Sequence, residues 1–199
     1  MSHSSLRRSY TWLAPIYNLF LRGATNASRR HSLAHIPADA GWKVLLPGVG
    51  TGLDCPWLPP GNRYIGLDLT RAMLQQIRCP QLGCIEGDSQ QLPFADGSFD
   101  AVVLHLILAV SPRPEACLQE AVRVLKPGGI LLIFDKFLPA GRPAPVRRWL
   151  SPLTAQLATR MDVELDALLQ TCNNLDLQSN EAALLGSWFR RIRLRKVIT

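Results

Sequence analysis

Acidic residues are missing from the first 38 positions and from every position after Glu181, although this chain of 199 residues carries 15 of them. Positive charge therefore gathers at the two ends. Arg7, Arg8, Arg22, Arg29 and Arg30 stand in the first stretch, and Arg190, Arg191, Arg193, Arg195 and Lys196 in the last. Lysine is scarce, four against 18 arginines, and a guanidinium fork suits phosphate or carboxylate better than an ammonium does. Such ends are compatible with nucleic acid, an anionic lipid surface, an acidic substrate or a merely solvated surface. No apolar run approaches the roughly 20 residues that a membrane-spanning helix needs. The longest, residues 101–110, is broken by His105. The five cysteines form no CxxC pair and are odd in number, so neither a zinc site nor a full disulfide framework is indicated. Reduced thiols and a cytoplasmic protein are the expectation. Internal repeats, low-complexity tracts and a signal-peptide-like apolar stretch are absent as well.

What remains is ordinary in composition, with 47% hydrophobic and 19% charged residues, and long enough for one domain with a substantial core. Short apolar runs alternate with helix-period segments, the pattern of repeated strand-helix-strand units. Residues 4–36 read as one or two helices interrupted at Pro15. Their aromatic and aliphatic cluster at residues 10–17 suits packing on a domain better than a cleaved transit peptide. Strands are predicted over residues 43–46, 64–68, 84–86, 101–104 and 130–135. A short helical turn over 54–58 and helices over 71–78, capped by Thr70, and 115–125 lie between them. Lys126-Pro127-Gly128-Gly129 reads as a helix stop. Beyond a loop over 138–145, helices are expected over 147–157 and 163–172, then strands over 175–179 and 188–197. The sum is an α/β fold: a doubly wound, Rossmann-like, mostly parallel sheet of seven strands. Its C-terminal strand is antiparallel, and helices cover both faces.

The most informative segment is Val44-Leu45-Leu46-Pro47-Gly48-Val49-Gly50-Thr51-Gly52, a buried-strand pattern running into three glycines at alternate positions. A strand feeding a glycine-rich turn is how α/β proteins bring backbone against a nucleotide-like ligand. A dinucleotide fold would call for G-x-G-x-x-G, whereas here the third glycine comes one place early and Leu53 holds the later position. Further segments follow in order: Gly66-Leu67-Asp68-Leu69-Thr70, Gly87-Asp88-Ser89-Gln90-Gln91-Leu92-Pro93-Phe94, Phe99-Asp100-Ala101-Val102-Val103 and Arg123-Val124-Leu125-Lys126-Pro127-Gly128-Gly129. Over residues 43–135 this series resembles the class I S-adenosylmethionine (SAM)-dependent methyltransferases. The branch it resembles contains the ubiquinone/menaquinone-biosynthesis and phospholipid N-methyltransferases.

The resemblance implies SAM as cofactor, held by Gly48, Val49, Gly50, Thr51 and Gly52. It also implies an N-terminal helical cap or lid over residues 1–36, and a SAM-binding domain over 37–199 within one globular unit. The residue chemistry agrees. A β-carbon at Gly48 or Gly50 is expected to intrude on the cofactor, and the methionine carboxylate would lie near the following helix N-terminus. Asp68, at the end of the second strand, can accept from both ribose hydroxyls, although it could also serve only as a charge at a helix N-terminus. Leu69 and Met73 would flank the adenine, or be plain core. Asp88 would accept from the adenine amino group with the Ser89 backbone N–H beside it, or form a simple Asx-turn.

One departure stands out. The resembled enzymes carry an acid where this chain has Leu46, and that acid helps hold the methionine amino group. Asp54 is the nearest acid in sequence, with capping of the short helix as its alternative role.

Methyl transfer from a sulfonium asks mainly for positioning, and a base is needed only for some acceptors. His105, at the end of the fourth strand, is a candidate base or pocket-lining residue, or a structural histidine. Tyr17, with Tyr10, sits on the segment that lids the active site in the resembled enzymes. Asp135 and Lys136 border the same cleft. After the fourth strand the chain reads His105-Leu106-Ile107-Leu108, without the proline pair and aromatic that hold a flipped base. A nucleic-acid acceptor is therefore not expected, and a small-molecule or lipid-like acceptor is. The Arg-flanked N-terminal segment suits peripheral contact with an anionic membrane. Residues 190–196 read as an edge or near-edge strand with one wet face. A methyltransferase fold retained only for binding, and an RNA methyltransferase using the basic ends, are the alternatives. The oligomeric state is open.

Overall fold

The computed structural model describes residues 23, 25–137, 163–184 and 188–198. Tyr10, Tyr17 and the helix expected over residues 147–157 lie outside them. A helix over residues 25–33 (α1) opens the described chain. Then come β1 (Lys43–Pro47), a 3-10 turn (Cys55–Trp57), β2 (Arg63–Asp68), α2 (Arg71–Leu74) and β3 (Leu82–Glu86). They are followed by β4 (Phe99–His105), α3 (Pro114–Val124), β5 (Leu125–Lys136), α4 (Leu165–Leu169), β6 (Leu175–Leu184) and β7 (Phe189–Lys196).

The seven strands form one sheet in the order β3-β2-β1-β4-β5-β7-β6. β3, β2, β1, β4 and β5 run parallel, and β7 is antiparallel to both of its neighbours, β5 and β6. The chain order reverses between β1 and β4, and the crevice outside the carboxyl ends of such a pair is where ligands bind in open α/β sheets.

β1 shows why the central strands read as unbroken apolar runs. Successive side chains point to opposite faces, and both faces are covered. Val44 and Leu46 join a buried cluster with Leu33, Ile36, Ala101 and Val103 on the α1 side. Leu45 points the other way, toward Leu67, Leu104, Leu118 and Leu131 under α3. Leu33 and Ile36 are thus part of the same core as β1.

Element boundaries moved for identifiable reasons. α2 ends at Leu74 instead of 78, because Gln76 and Ile77 donate to Met73 and Leu74 three residues back, tightening the chain into turns. Thr70 makes no side-chain cap; its N–H is taken by Asp68 Oδ1 at 2.9 Å. The Lys126-Pro127-Gly128-Gly129 stretch ends α3 as expected but already lies inside β5, where the ladder to β4 shifts register between Phe99 and Ala101. Gly129 is required there, since a Cβ would meet the carbonyl oxygens of Asp100 and Lys126 at 2.9 Å. β6 runs five residues past the expected end. It is the sheet edge, largely exposed, so no apolar alternation marks its length. β7 lies between β5 and β6, one strand in from that edge. Its Ile192 and Leu194 are buried in the α3-side core. On the opposite face Arg191 pairs with Glu181 at 2.8 Å and Arg193 lies 3.2 Å from His35 Nδ1.

Candidate active site

The glycine turn leaves β1 directly at the β1/β4 crevice. Gly48, Gly50 and Gly52 have φ of +68°, +56° and +81°, left-handed values that L side chains adopt only at a cost. Each faces different surroundings. A Cβ at Gly48 would meet Ile107 Cδ1 at 2.5 Å, and one at Gly52 would meet Cys55 Sγ at 2.9 Å. At Gly50 no described residue comes within 4 Å. The expectation that Gly48 is bare for the cofactor's sake is therefore corrected: the room beside it is filled by Ile107, and among the described residues it is Gly50 that faces open space. Val49 is buried and packs over Gly66 of β2. Thr51 places its hydroxyl oxygen out of solvent with no partner among the described residues.

Asp68 stands at the end of β2, alongside this turn. Its Oδ2 accepts from Gly50 N–H and its Oδ1 from Thr70 N–H, both at 2.9 Å. Burial pushes the Asp68 carboxyl above its ordinary pKa, with the amides of Thr70 and Gly50 acting the other way. A carboxylate offers about four acceptor positions, so each oxygen can still take a bond. Leu69 is half-buried and Met73 buried on α2. Asp88 follows β3, whose end is tied to β2 by Gly87 N–H donating to Asp68 O at 3.0 Å. Its Oδ1 accepts from Gln90 N–H at 2.9 Å and from Gln90 Nε2 at 3.0 Å, an Asx-turn reinforced by the side-chain amide. Ser89 bonds the buried thiol of Cys117, which burial pushes up to about 12.

His105, considered as base, pocket lining or structural histidine, lies in a buried hydrogen-bonded setting. Its side chain is 1% exposed. Nδ1 lies 2.7 Å from Asp54 Oδ1, Nε2 lies 2.9 Å from Ser32 Oγ, and the ring stands edge-on to Phe134. Both nitrogens are engaged inside the protein, so neither is left to take a proton from an acceptor. The helix-capping role considered for Asp54 is corrected too: it makes no side-chain cap bond. It instead receives Arg29 Nη1 at 2.9 Å, and Arg29 Nε donates to Thr25. Burial alone would raise the Asp54 pKa. The charges and hydrogen bonds of His105 and Arg29 outweigh it and hold the carboxyl well below the usual range. Leu46 is 1% exposed, in the apolar layer beneath α1.

The opposite wall of the crevice is the turn after β4. Leu106 has φ of +59°, an uncommon conformation for such a side chain. It is held by Leu106 N–H donating to Phe134 O at 2.8 Å and by Asp135, whose Oδ2 accepts from Leu108 N–H at 2.7 Å and Ala109 N–H at 3.2 Å. Burial raises the Asp135 carboxyl to about 6 against these amides and that of Lys136. Lys136 lies over the Phe189 ring at 5.4 Å. Sequence reasoning passed over Arg29, Ser32 and Ile107. Their partners lie 25, 73 and dozens of residues away, and no local pattern signals such a meeting.

A methyltransferase-domain family model matches residues 45–133. The phosphatidylethanolamine N-methyltransferase of Cereibacter sphaeroides is 32% identical over 145 residues, 69% of this chain and 70% of that one. The chain belongs to the class I SAM-dependent methyltransferases. A demethylmenaquinone methyltransferase of Renibacterium salmoninarum is 36% identical over 124 residues, 61% of this chain but only 52% of the relative's length. Among solved structures, the [4+2]-cyclase SpnF superposes with a TM-score of 0.79 at 15% identity, covering all of this chain and 98% of that one. A possible histamine N-methyltransferase of Thermotoga maritima gives 0.71 at 18%, covering 95% and 99%. These two show the fold alone.

The family implies SAM as methyl donor, and the residues present fit it. Among the described residues the space beside Gly50 is open and the Thr51 hydroxyl has no partner, and the Asp68 carboxylate is bonded to Gly50 N–H next to them.

Proposed function

We propose that this methyltransferase moves a methyl group from SAM to a small-molecule or lipid-like acceptor. The observation that carries the reading is the Asp68 carboxylate bonded to Gly50 N–H at 2.9 Å, beside the open face of Gly50. Asp68 would hold the ribose hydroxyls, and Asp88 with the Ser89 backbone N–H the adenine, flanked by Leu69 and Met73. The bound sulfonium supplies an already activated methyl. The chain's own part is to orient acceptor and donor in line and to exclude water. With both nitrogens of His105 engaged, a thiol, phenol or enol that ionises readily needs no base from it, whereas an amine must lose its proton to another group or to water.

The relatives named for phosphatidylethanolamine and demethylmenaquinone support lipid or quinone-like acceptors. No helix among the described residues is long and apolar enough to cross a membrane. Contact with an anionic membrane through the Arg-flanked first residues would be peripheral, and salt-sensitive flotation with anionic liposomes tests it.

Calorimetry with SAM tests the cofactor. Micromolar binding is expected, weakened about tenfold or more by Asp68→Asn, which removes the charge from the ribose bonds. No binding at millimolar SAM would leave a methyltransferase fold kept for binding something else. Labelled SAM with quinone precursors, phospholipids and thiols then identifies the acceptor.

A further inference from the structure

Leu46 leaves the amino-acid end of the donor without the acid found there in the resembled enzymes, and the structure offers a replacement on other elements. Asp54 lies two residues past Gly52, and Arg29 comes from α1. Asp54 contacts His105, the last residue of β4, at 2.7 Å. The pair therefore lies between α1 and the end of β4, one of the two strands between which the strand order reverses. Both side chains are 6% exposed. Each has capacity to spare. Asp54 makes its bonds to Arg29 and His105 through Oδ1, and Arg29 uses Nε and Nη1. Oδ2 and Nη2 carry no bond among the described residues.

A buried ion pair is costly unless its remaining positions are satisfied. The head of an α-amino acid is an ammonium beside a carboxylate, complementary to an aspartate beside an arginine. We propose that Asp54 and Arg29 hold the α-amino acid head of SAM, Asp54 accepting from the ammonium and Arg29 donating to the carboxylate. His105 and Ser32 lock Asp54 in orientation. This assignment rests on the SAM reading above and deepens it: the acid lost at Leu46 is supplied two residues beyond the glycine turn, together with a cation from the N-terminal helix.

The test compares two probes by calorimetry: S-adenosylhomocysteine, which carries the head, and 5′-methylthioadenosine, which keeps the nucleoside and thioether but lacks it. Wild-type protein is expected to prefer the first. Asp54→Asn and Arg29→Gln should lower that preference about tenfold or more and leave 5′-methylthioadenosine affinity within about threefold. Arg29→Lys keeps a charge against Asp54 but has no second guanidinium nitrogen, so it should lower the preference too if the other variants fail to fold. Loss of affinity for both probes by the same factor, or no change in either, would overturn the assignment and leave a purely structural ion pair. A wild-type protein that binds 5′-methylthioadenosine with no preference for the head overturns this proposal alone. One that binds neither probe overturns the SAM reading with it.

Discussion

Substituting alanine at Gly48 and at Gly50 separates holding the fold from making room for the cofactor. Both glycines are left-handed, at +68° and +56°, so either alanine incurs about 1–2 kcal/mol of backbone strain. Only at Gly48 does the methyl also strike a neighbour. Cδ1, Cγ1 and Cβ of Ile107 stand at 2.5, 2.7 and 2.9 Å from its position. Because Cβ is included, a rotamer change cannot clear the clash. Overpacking of this kind adds about 1–3 kcal/mol. Gly48→Ala should therefore cost about 2–5 kcal/mol and Gly50→Ala about 1–2 kcal/mol in urea unfolding. In an Ile107→Ala background the offending Cγ1 and Cδ1 are gone, and the extra penalty at Gly48 should fall by at least about 1 kcal/mol. Gly50→Ala should stay folded yet lose SAM affinity, since its methyl projects into the open cradle. If Gly48→Ala is no worse than Gly50→Ala, or is indifferent to Ile107→Ala, the steric reasoning fails.

Other outcomes follow from the same geometry. Asp135 has its native pKa raised to about 6, so between roughly pH 4 and 6 the folded protein keeps a proton that the unfolded chain has lost. The stability this contributes is complete at low pH and is lost as pH rises through about 6, on the order of 3 kcal/mol. Asp135→Asn should flatten that part of the urea-midpoint profile, and an unchanged slope would refute the assignment. Arg123 bonds Glu120, Asp96 and the carbonyls of Leu92 and Phe94 at once. Arg123→Lys, which cannot reproduce the fork, should cost about 1–2 kcal/mol and raise hydrogen exchange in residues 87–97 selectively. Leu106→Gly, relieving a φ of +59°, should change stability by no more than about 1 kcal/mol, whereas Asp135→Ala, which removes the acceptor for the Leu108 and Ala109 amides, should lower it by about 1–3 kcal/mol.

How far the chain could be read depended on how local each feature is. The central strands announced themselves because a strand covered on both faces must be apolar at every position, as Val44, Leu45 and Leu46 are. The glycine turn and Asp68 were legible because positive φ and a strand-end carboxylate are short-range requirements. β6 was underestimated because an exposed edge leaves no apolar rhythm. The choice left open between roles for His105, and the cap that Asp54 does not form, have a common source. Spacing along the chain places a residue at a strand end, and it does not tell which way a ring nitrogen is already bonded.

The sequence by itself determined the α/β class, the positions of the central strands along the chain, the glycine turn and the acid at the end of β2. Each follows from periodicity, backbone conformation or chemistry within a few residues. Only the tertiary structure decided that Ile107 fills the space beside Gly48, that Asp135 pins the turn after β4, and that Arg29, Ser32, Asp54 and His105 meet in one buried network. Those partners come from separate elements. Their pairing is fixed by where folding carries the elements, through burial that penalises any charge left unmatched.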